Sequence, residues 1–329
     1  MKATPGNKGT DMQYGLSMMT RGPCGSGPGL TQMAKAAEAG GLDYLGINDH
    51  VVVPADIASR YPYSGDGVWP GATVGQCLEV ITAASYIAAA TSRALLLTSV
   101  LVVPYRPAVL TAKMLTTLDV MSGGRLTIGC GAGWMREEFD ALGTDPFDER
   151  GKVTDEYLRV FRALWTGETP SFEGDYVNFD PIFFEPKPVQ QPGPPIWVGG
   201  ESAAAIRRTV ELGDGWCPAS HNPRAMLDTP RRYAAMADRL HQAAEAAGRD
   251  PASIAKVLFV TSPVDPTPRM VDGERRAFTG NVDDILADID GYRAVGVDTL
   301  IFGLREPDLN ATLDRIGWLT ESVVAAARA

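Results

Sequence analysis

Eight short runs rich in β-branched and large apolar residues recur along the chain with helical stretches between them, and this alternation narrows the fold more than any other feature. The runs are Met12 to Ser17, Tyr44 to Asn48, Leu95 to Leu101, Arg125 to Cys130, Ile196 to Val198, Gly215 to Cys217, Ile254 to Val260 and Thr299 to Phe302. A strand, a crossover helix and a second strand make a parallel pair, so the order implies an α/β fold with a parallel sheet and helices outside it. Thr73 to Thr91 reads as one such helix, opened by a Thr73-x-x-Gln76 capping box. Ile285, Ile289 and Tyr292 mark another, and the last carries Leu309, Leu313, Ile316 and Val323 on one face.

Eight strands favour closure into a (β/α)8 TIM barrel over an open sheet, and 329 residues suit a single barrel with insertions. A quasi-repeat points the same way: a helix end, a glycine and then an aspartate at a strand start recur at Gly40-Gly41-Leu42-Asp43, Gly213-Asp214 and Gly296-Val297-Asp298. The glycine is expected to close each helix in the left-handed conformation. Residues 1–11 read as a flexible tail and residues 12–329 as one domain. Two connections, about 51–72 and 134–195, are too long to be simple loops and read as insertions at the C-terminal face, where barrels place their chemistry. The second contains a helix over Glu149 to Trp165 and a hairpin around Gly174-Asp175.

Forty acidic against thirty basic residues, with no basic cluster, argue against a phosphate backbone as partner, so no nucleic acid is expected. Met1 to Thr10 has no apolar core of a secretory signal, and Ala94 to Val103 falls far short of the roughly 20 residues of a membrane span. The expected location is the cytoplasm, away from membranes. Cys24, Cys77, Cys130 and Cys217 match no zinc or redox spacing and read as reduced small hydrophobes; no metal is expected.

Asp49 and His50 follow the second strand directly. At a barrel mouth an imidazole exchanges protons near neutral pH and a carboxylate orients a polar ring, although a turn-capping aspartate and a backbone-bonded histidine would look the same in sequence. His221 is a weaker candidate, and His241, on a polar helix, reads as solvated. Gly199-Gly200-Glu201-Ser202 joins the fifth strand to a helix, where amides free at a helix start can bind an anionic cofactor tail; an ordinary tight turn has the same composition. Gly129-Cys130-Gly131-Ala132-Gly133 lacks the third glycine of a dinucleotide fingerprint, because Trp134 stands there. It reads either as a strand end kept small for a flat ring or as tight interior packing.

The stretches GLDYLGINDHV, LLLTSVLVVPYRPAVLTAKMLTTLDVMSGGRLTIGCGAGW and FEPKPVQQPGPPIWVGGESAAAIRRTVELGDGW make the chain resemble the bacterial luciferase-like superfamily of flavin and deazaflavin barrel enzymes from about Met12 to Ala326. It looks most like the branch of oxidoreductases that use coenzyme F420. That resemblance implies a non-prolyl cis peptide at Ser99–Val100 behind the ring, Asp49 at the deazaflavin headgroup and His50 near its reactive carbon. It implies further that Ala132 and Gly133 line the ring, that Gly199, Gly200, Ser202 and Ala203 take the phosphate, and that the protein forms a homodimer. Trp134 stands where sugar-phosphate dehydrogenases of the superfamily carry a catalytic glutamate, so that activity is not expected. Ala132 stands where luciferase has a phosphate-gripping arginine, which weighs against FMN.

The expectation is therefore hydride exchange between coenzyme F420 and a small-molecule substrate, with Tyr61, Trp69 and Trp134 as substrate wall or, equally, as loop anchors. The alternatives are an FMN-dependent monooxygenase served by a flavin reductase and a non-catalytic flavin-binding barrel. A metal-dependent hydrolase would need clustered His and carboxylate ligands at strand ends, for which only Asp49, His50 and His221 qualify.

Overall fold

Each of the eight runs is a strand: β1 (Gln13–Met18), β2 (Tyr44–Ile47), β3 (Leu95–Val102), β4 (Leu126–Gly131), β5 (Ile196–Gly199), β6 (Gly215–Cys217), β7 (Ala255–Pro263) and β8 (Thr299–Gly303). The structure is a computed structural model that describes residues 12–18, 20–22, 25–72, 75–271 and 273–329. The expected flexible tail, Cys24 and Thr73 lie outside the described residues. All strands pair in parallel in chain order, and β8 returns to β1, closing the barrel.

Alternation along the strands splits the apolar residues between two cores. Tyr14, Leu16 and Met18 of β1 are fully buried and belong to the large core between barrel and helices. A separate cluster of Tyr44, Leu97, Trp197, Cys217, Val257 and Ile301 fills the barrel interior, with the Tyr44 and Trp197 rings 5.1 Å apart. The helices are α1 (Gly27–Ala39), α2 (Val80–Ala90), α3 (Ala108–Ser122), α4 (Arg136–Leu142), α5 (Arg150–Thr166), α6 (Ala203–Leu212), α7 (Pro230–Ala246), α8 (Val282–Ala294) and α9 (Leu309–Trp318). Beyond α9 a π-helical turn, Leu319–Val324, keeps Val323 buried.

The aspartates of the quasi-repeat tie the floor of the barrel. Asp43 Oδ2 accepts from Tyr14 N at 2.8 Å, Asp214 Oδ2 from Ile196 N at 2.7 Å and Asp298 Oδ2 from Lys256 N at 2.7 Å. In each pair the aspartate's own amide donates back to the same residue's carbonyl, so one side chain locks the start of two adjacent strands. The glycines before them are not uniform. Gly41 and Gly296 are left-handed, but Gly213 is extended at φ −95°, a correction to the expected cap. A Cβ on Gly213 would lie 2.9 Å from Val198 Cγ2, so packing against β5 requires the glycine there.

α2 also departs from expectation. Residues 75–79, Gln76 among them, are not helical, and Glu79 caps the helix, accepting from Ile81 N at 3.1 Å and Thr82 N at 2.7 Å. The insertions follow β2 and β4, hence lie at the C-terminal face, and the expected hairpin forms between Phe172–Glu173 and Asn178–Phe179. Among the described residues no helix is long and apolar enough to cross a membrane.

Candidate active site

The strand pleat makes a cradle at the C-terminal mouth. Two residues beyond interior residues Tyr44, Leu97, Trp197 and Ile301, the same strands carry Gly46, Ser99, Gly199 and Gly303, so a floor of large side chains gives way to walls of small ones. The Ser99–Val100 bond is cis, and the β3–β4 register shifts between Thr98 and Leu101. Both side chains reach the mouth: Ser99 Oγ lies 2.9 Å from where Gly46 would carry a Cβ, and the Val100 methyls lie 3.0 Å and 3.2 Å from the equivalent points on Gly131 and Gly199. Ser99 Oγ is buried with no hydrogen-bond partner. A shallow wall of glycines with one unsatisfied hydroxyl fits a flat, polar-edged ring.

The glycine run after β4 is partly a matter of packing. A Cβ on Gly129 would come within 2.2 Å of the Thr98 carbonyl oxygen, so this position serves the close approach of β3 and β4. Ala132 and Gly133 are half-buried past the strand end, where Gly133 is left-handed at φ 82° and its carbonyl accepts from Arg150 Nε at 3.1 Å. Cys130 is fully buried in the outer core, and burial pushes its thiol up to about 12.

His50 is buried at the end of β2, and its Nδ1 lies 2.8 Å from Glu138 Oε2 on α4. The same oxygen accepts the Tyr105 hydroxyl at 2.8 Å, while Oε1 accepts Val51 N at 2.7 Å and Val52 N at 3.2 Å. Burial would raise the Glu138 carboxyl, but the His50 bond and charge, the Val51 amide and the Tyr105 hydroxyl together hold it below its ordinary value. Burial, reinforced by Glu138, pushes the Tyr105 phenol far up, so it remains a donor. An ionised carboxylate only accepts, so Nδ1 carries a proton and Nε2 is left as the nitrogen that takes or gives one.

Asp49 stands beside His50 with no exposed side-chain surface. Arg106 grips it with two bonds, Nη1 to Oδ2 at 2.9 Å and Nη2 to Oδ1 at 2.8 Å, and Val102 N donates to Oδ2 at 2.9 Å. Arg106 also reaches Glu79 at 2.8 Å. Burial pushes the Asp49 carboxyl up, against the pull of Arg106. Asp49, expected at the cofactor headgroup, fastens the end of β3 to β2 through Val102 and Arg106, and its side chain has no exposed surface.

Tyr61, Trp69 and Trp134 come together over His50. The His50 and Trp69 rings are 4.4 Å apart, Trp69 and Trp134 6.1 Å, and Tyr61 and Trp134 5.2 Å. The loop that carries Tyr61 and Trp69 is stapled to α4: Glu137 Oε1 accepts Ala58 N at 2.8 Å and Ser59 N at 2.9 Å, while Glu138 holds the loop's start.

The turn from β5 into α6 is held by hydrogen bonds to β6 and the segment after it. Gly200 adopts φ 106°, its carbonyl accepts Trp216 Nε1 at 2.9 Å, and buried Glu201 binds Ala219 N and Asn222 Nδ2, each at 2.7 Å. Ser202 caps α6 by accepting Ala205 N at 3.1 Å, leaving Ser202 and Ala203 exposed at the helix start. Arg207 and Arg208, adjacent in sequence, are both paired with Asp155. His221 is half-buried, and burial together with nearby Arg276 lowers its pKa. His241 is half-buried rather than solvated, with Nε2 covered, because α7 turns that face inward. Among the described residues no group of three or more His, Cys, Asp or Glu side chains is placed to hold a metal.

Glu138, Tyr105 and Arg106 were not apparent in the sequence. Glu138 lies 88 residues from His50, and nothing in a short Arg-Glu-Glu-Phe segment signals which acid turns inward.

Residues 12–321 match the family of luciferase-like monooxygenases. An uncharacterized protein of Mycobacterium tuberculosis is 32% identical over 240 residues, 73% of this chain and 80% of the relative. An FMNH2-dependent dimethylsulfone monooxygenase of Pseudomonas putida is 35% identical over 164 residues, which is 48% of this chain and 44% of that protein. Among solved structures, an F420-dependent secondary alcohol dehydrogenase in complex with an F420–acetone adduct superposes with a TM-score of 0.75 at 19% identity, covering 97% of this chain and 100% of that one, a likeness of fold.

Proposed function

Because the chain belongs to the luciferase-like monooxygenase family, we propose that it is an oxidoreductase in which coenzyme F420 lies in the barrel mouth and exchanges a hydride with a small organic substrate beside His50. The bound deazaflavin supplies the hydride chemistry. The observation that carries the reading is the chain from Tyr105 through Glu138 to His50. When a hydride leaves the carbon of an alcohol, the hydroxyl proton has to go elsewhere, and His50 Nε2 takes it; in the reverse direction Nε2 returns it to the carbonyl oxygen. Glu138, kept ionised, steadies the imidazolium formed in the first case.

The remaining residues bind and orient. Gly46, Gly131 and Gly199 with Ser99 and Val100 form the bed of the ring, the Ser99 hydroxyl offering its unused donor to the ring's edge. Ala132 and Gly133 flank it. Gly199, Gly200, Ser202 and Ala203 present amides to the anionic tail, each such contact contributing about 0.3–1 kcal/mol at an exposed helix start. Tyr61, Trp69 and Trp134 wall the substrate and exclude water.

A second reading, an FMN-dependent monooxygenase, is favoured by the sequence likeness to the dimethylsulfone enzyme. The two separate on one experiment. Protein mixed with F420 or with FMN is passed through a desalting column and its visible spectrum recorded. Retention of F420 with loss of FMN supports the hydride reading; retention of FMN alone overturns it in favour of the monooxygenase.

A further inference from the structure

A buried guanidinium needs acceptors for its donors, and this chain generally supplies them. Arg106 has Asp49 and Glu79, and Arg208 has Asp155. Arg125, with no carboxylate, is satisfied by the carbonyls of Ala88, Thr91, Ala94 and Ser122 and by the Thr91 hydroxyl. Among the described residues Arg21 departs from this pattern. It follows β1 at the mouth, lies over the Trp69 ring at 4.8 Å, and has a buried Nη1 without a hydrogen bond and no ion-pair partner among the described residues. Burial lowers its pKa, as expected of a cation without a counter-charge. Arg305, exposed just past β8, forms no ion pair among the described residues either, and the Tyr61 phenol lies within electrostatic reach of both guanidinium groups. Strands β1 and β8 are neighbours, so the two cations share one edge of the mouth.

We propose that Arg21 and Arg305 bind a carboxylate of the substrate, making that substrate an organic acid whose apolar part rests against Trp69, Tyr61 and Trp134. This rests on the mouth being the active site. The turn that would take the cofactor's phosphate follows β5, four strands from β1 in either direction round the barrel, so the anion at Arg21 is a different one. A net charge of −10 makes unpaired arginines at one edge a local feature, not a surplus of base. The Trp69 ring is in contact with both the Arg21 guanidinium, at 4.8 Å, and the His50 ring, at 4.4 Å, so the proposed carboxylate site and the proton-transfer group border one side chain.

The test is tryptophan-fluorescence titration of the full chain with sodium benzoate and with its uncharged isostere benzamide. Benzoate should bind about tenfold more tightly than benzamide. Arg21→Gln should abolish that preference while keeping benzamide affinity, Arg21→Lys should keep part of it, and Arg305→Gln should reduce it. Replacing Arg159, exposed on α5, by Gln should leave it unchanged. Thermal melts of each variant separate loss of the subsite from loss of fold. Equal or absent binding of the two probes by the wild-type chain, or a preference that survives the Arg21→Gln/Arg305→Gln double variant, overturns the proposal. F420 titrated into Arg21→Gln distinguishes the source of the carboxylate: unchanged F420 affinity assigns it to the substrate, and a loss of about tenfold or more assigns it to the cofactor tail and contradicts the proposal. If the wild-type chain prefers benzoate but binds no F420, the hydride reading fails and the subsite stands.

Discussion

Nδ1 of His50 lies 2.8 Å from Oε2 of Glu138, a carboxylate with no exposed side-chain surface. One buried acid thus sets the tautomer of the histidine and, through its other oxygen, the start of the loop that roofs the mouth. Glu138→Gln keeps the shape and removes the charge. Its carboxyl is depressed in the fold, so its contribution to stability is fully present above the ordinary carboxylate pKa of about 4.3 and is lost as pH falls through the lower folded value. The variant should be about 1–3 kcal/mol less stable at pH 7 in denaturant titrations, with the gap closing below about pH 4. A gap that stays constant down to acid pH would show that the charge contributes nothing.

Asp49 and Arg106 form a buried two-bond ion pair. Asp49→Ala should cost about 3–5 kcal/mol, because it strips a buried guanidinium of its main partner, and adding Arg106→Leu should recover part of that loss. Denaturant midpoints of both single variants and the double variant measure the coupling; simple additivity would mean that the pair is not a unit.

Gly129→Ala adds a single methyl group, yet that methyl would meet the Thr98 carbonyl oxygen at 2.2 Å, an atom that cannot move aside. The expected outcome is a loss of about 3 kcal/mol or more, or no soluble protein. A wild-type melting temperature would contradict the packing explanation of this glycine.

The barrel was legible because its signals are local. Strand periodicity and the glycine–aspartate repeat are read within ten residues, and all eight runs became strands. The repeat signified more than a turn, since Asp43, Asp214 and Asp298 each lock two strands, which becomes visible only when the neighbouring strand is in place. His50 and the aromatics Tyr61, Trp69 and Trp134 stood out by their positions after strands and in long loops, and the fold brings their rings together. Glu138, Tyr105 and Arg21 did not stand out, because their roles arise from contacts between segments after different strands. Asp49 combines both kinds of signal: its place after a strand is read locally, whereas the arginine 57 residues away that holds its carboxylate is not.

The α6 N-terminus gives two readouts that move in opposite directions. Ala203 is the first residue of α6 and exposed, so an aspartate there is favourable to the helix but repels an anionic tail. Ala203→Asp should therefore melt no earlier than the wild-type protein.

The central claim is that a redox ring lies in this mouth with its tail at the β5–α6 turn, and the most direct test is a fluorescence titration of coenzyme F420 into the wild-type and Ala203→Asp proteins. The account predicts saturable binding to the wild-type chain and affinity about tenfold weaker in the equally folded variant. No binding to the wild-type chain, or identical isotherms for the two, would contradict it.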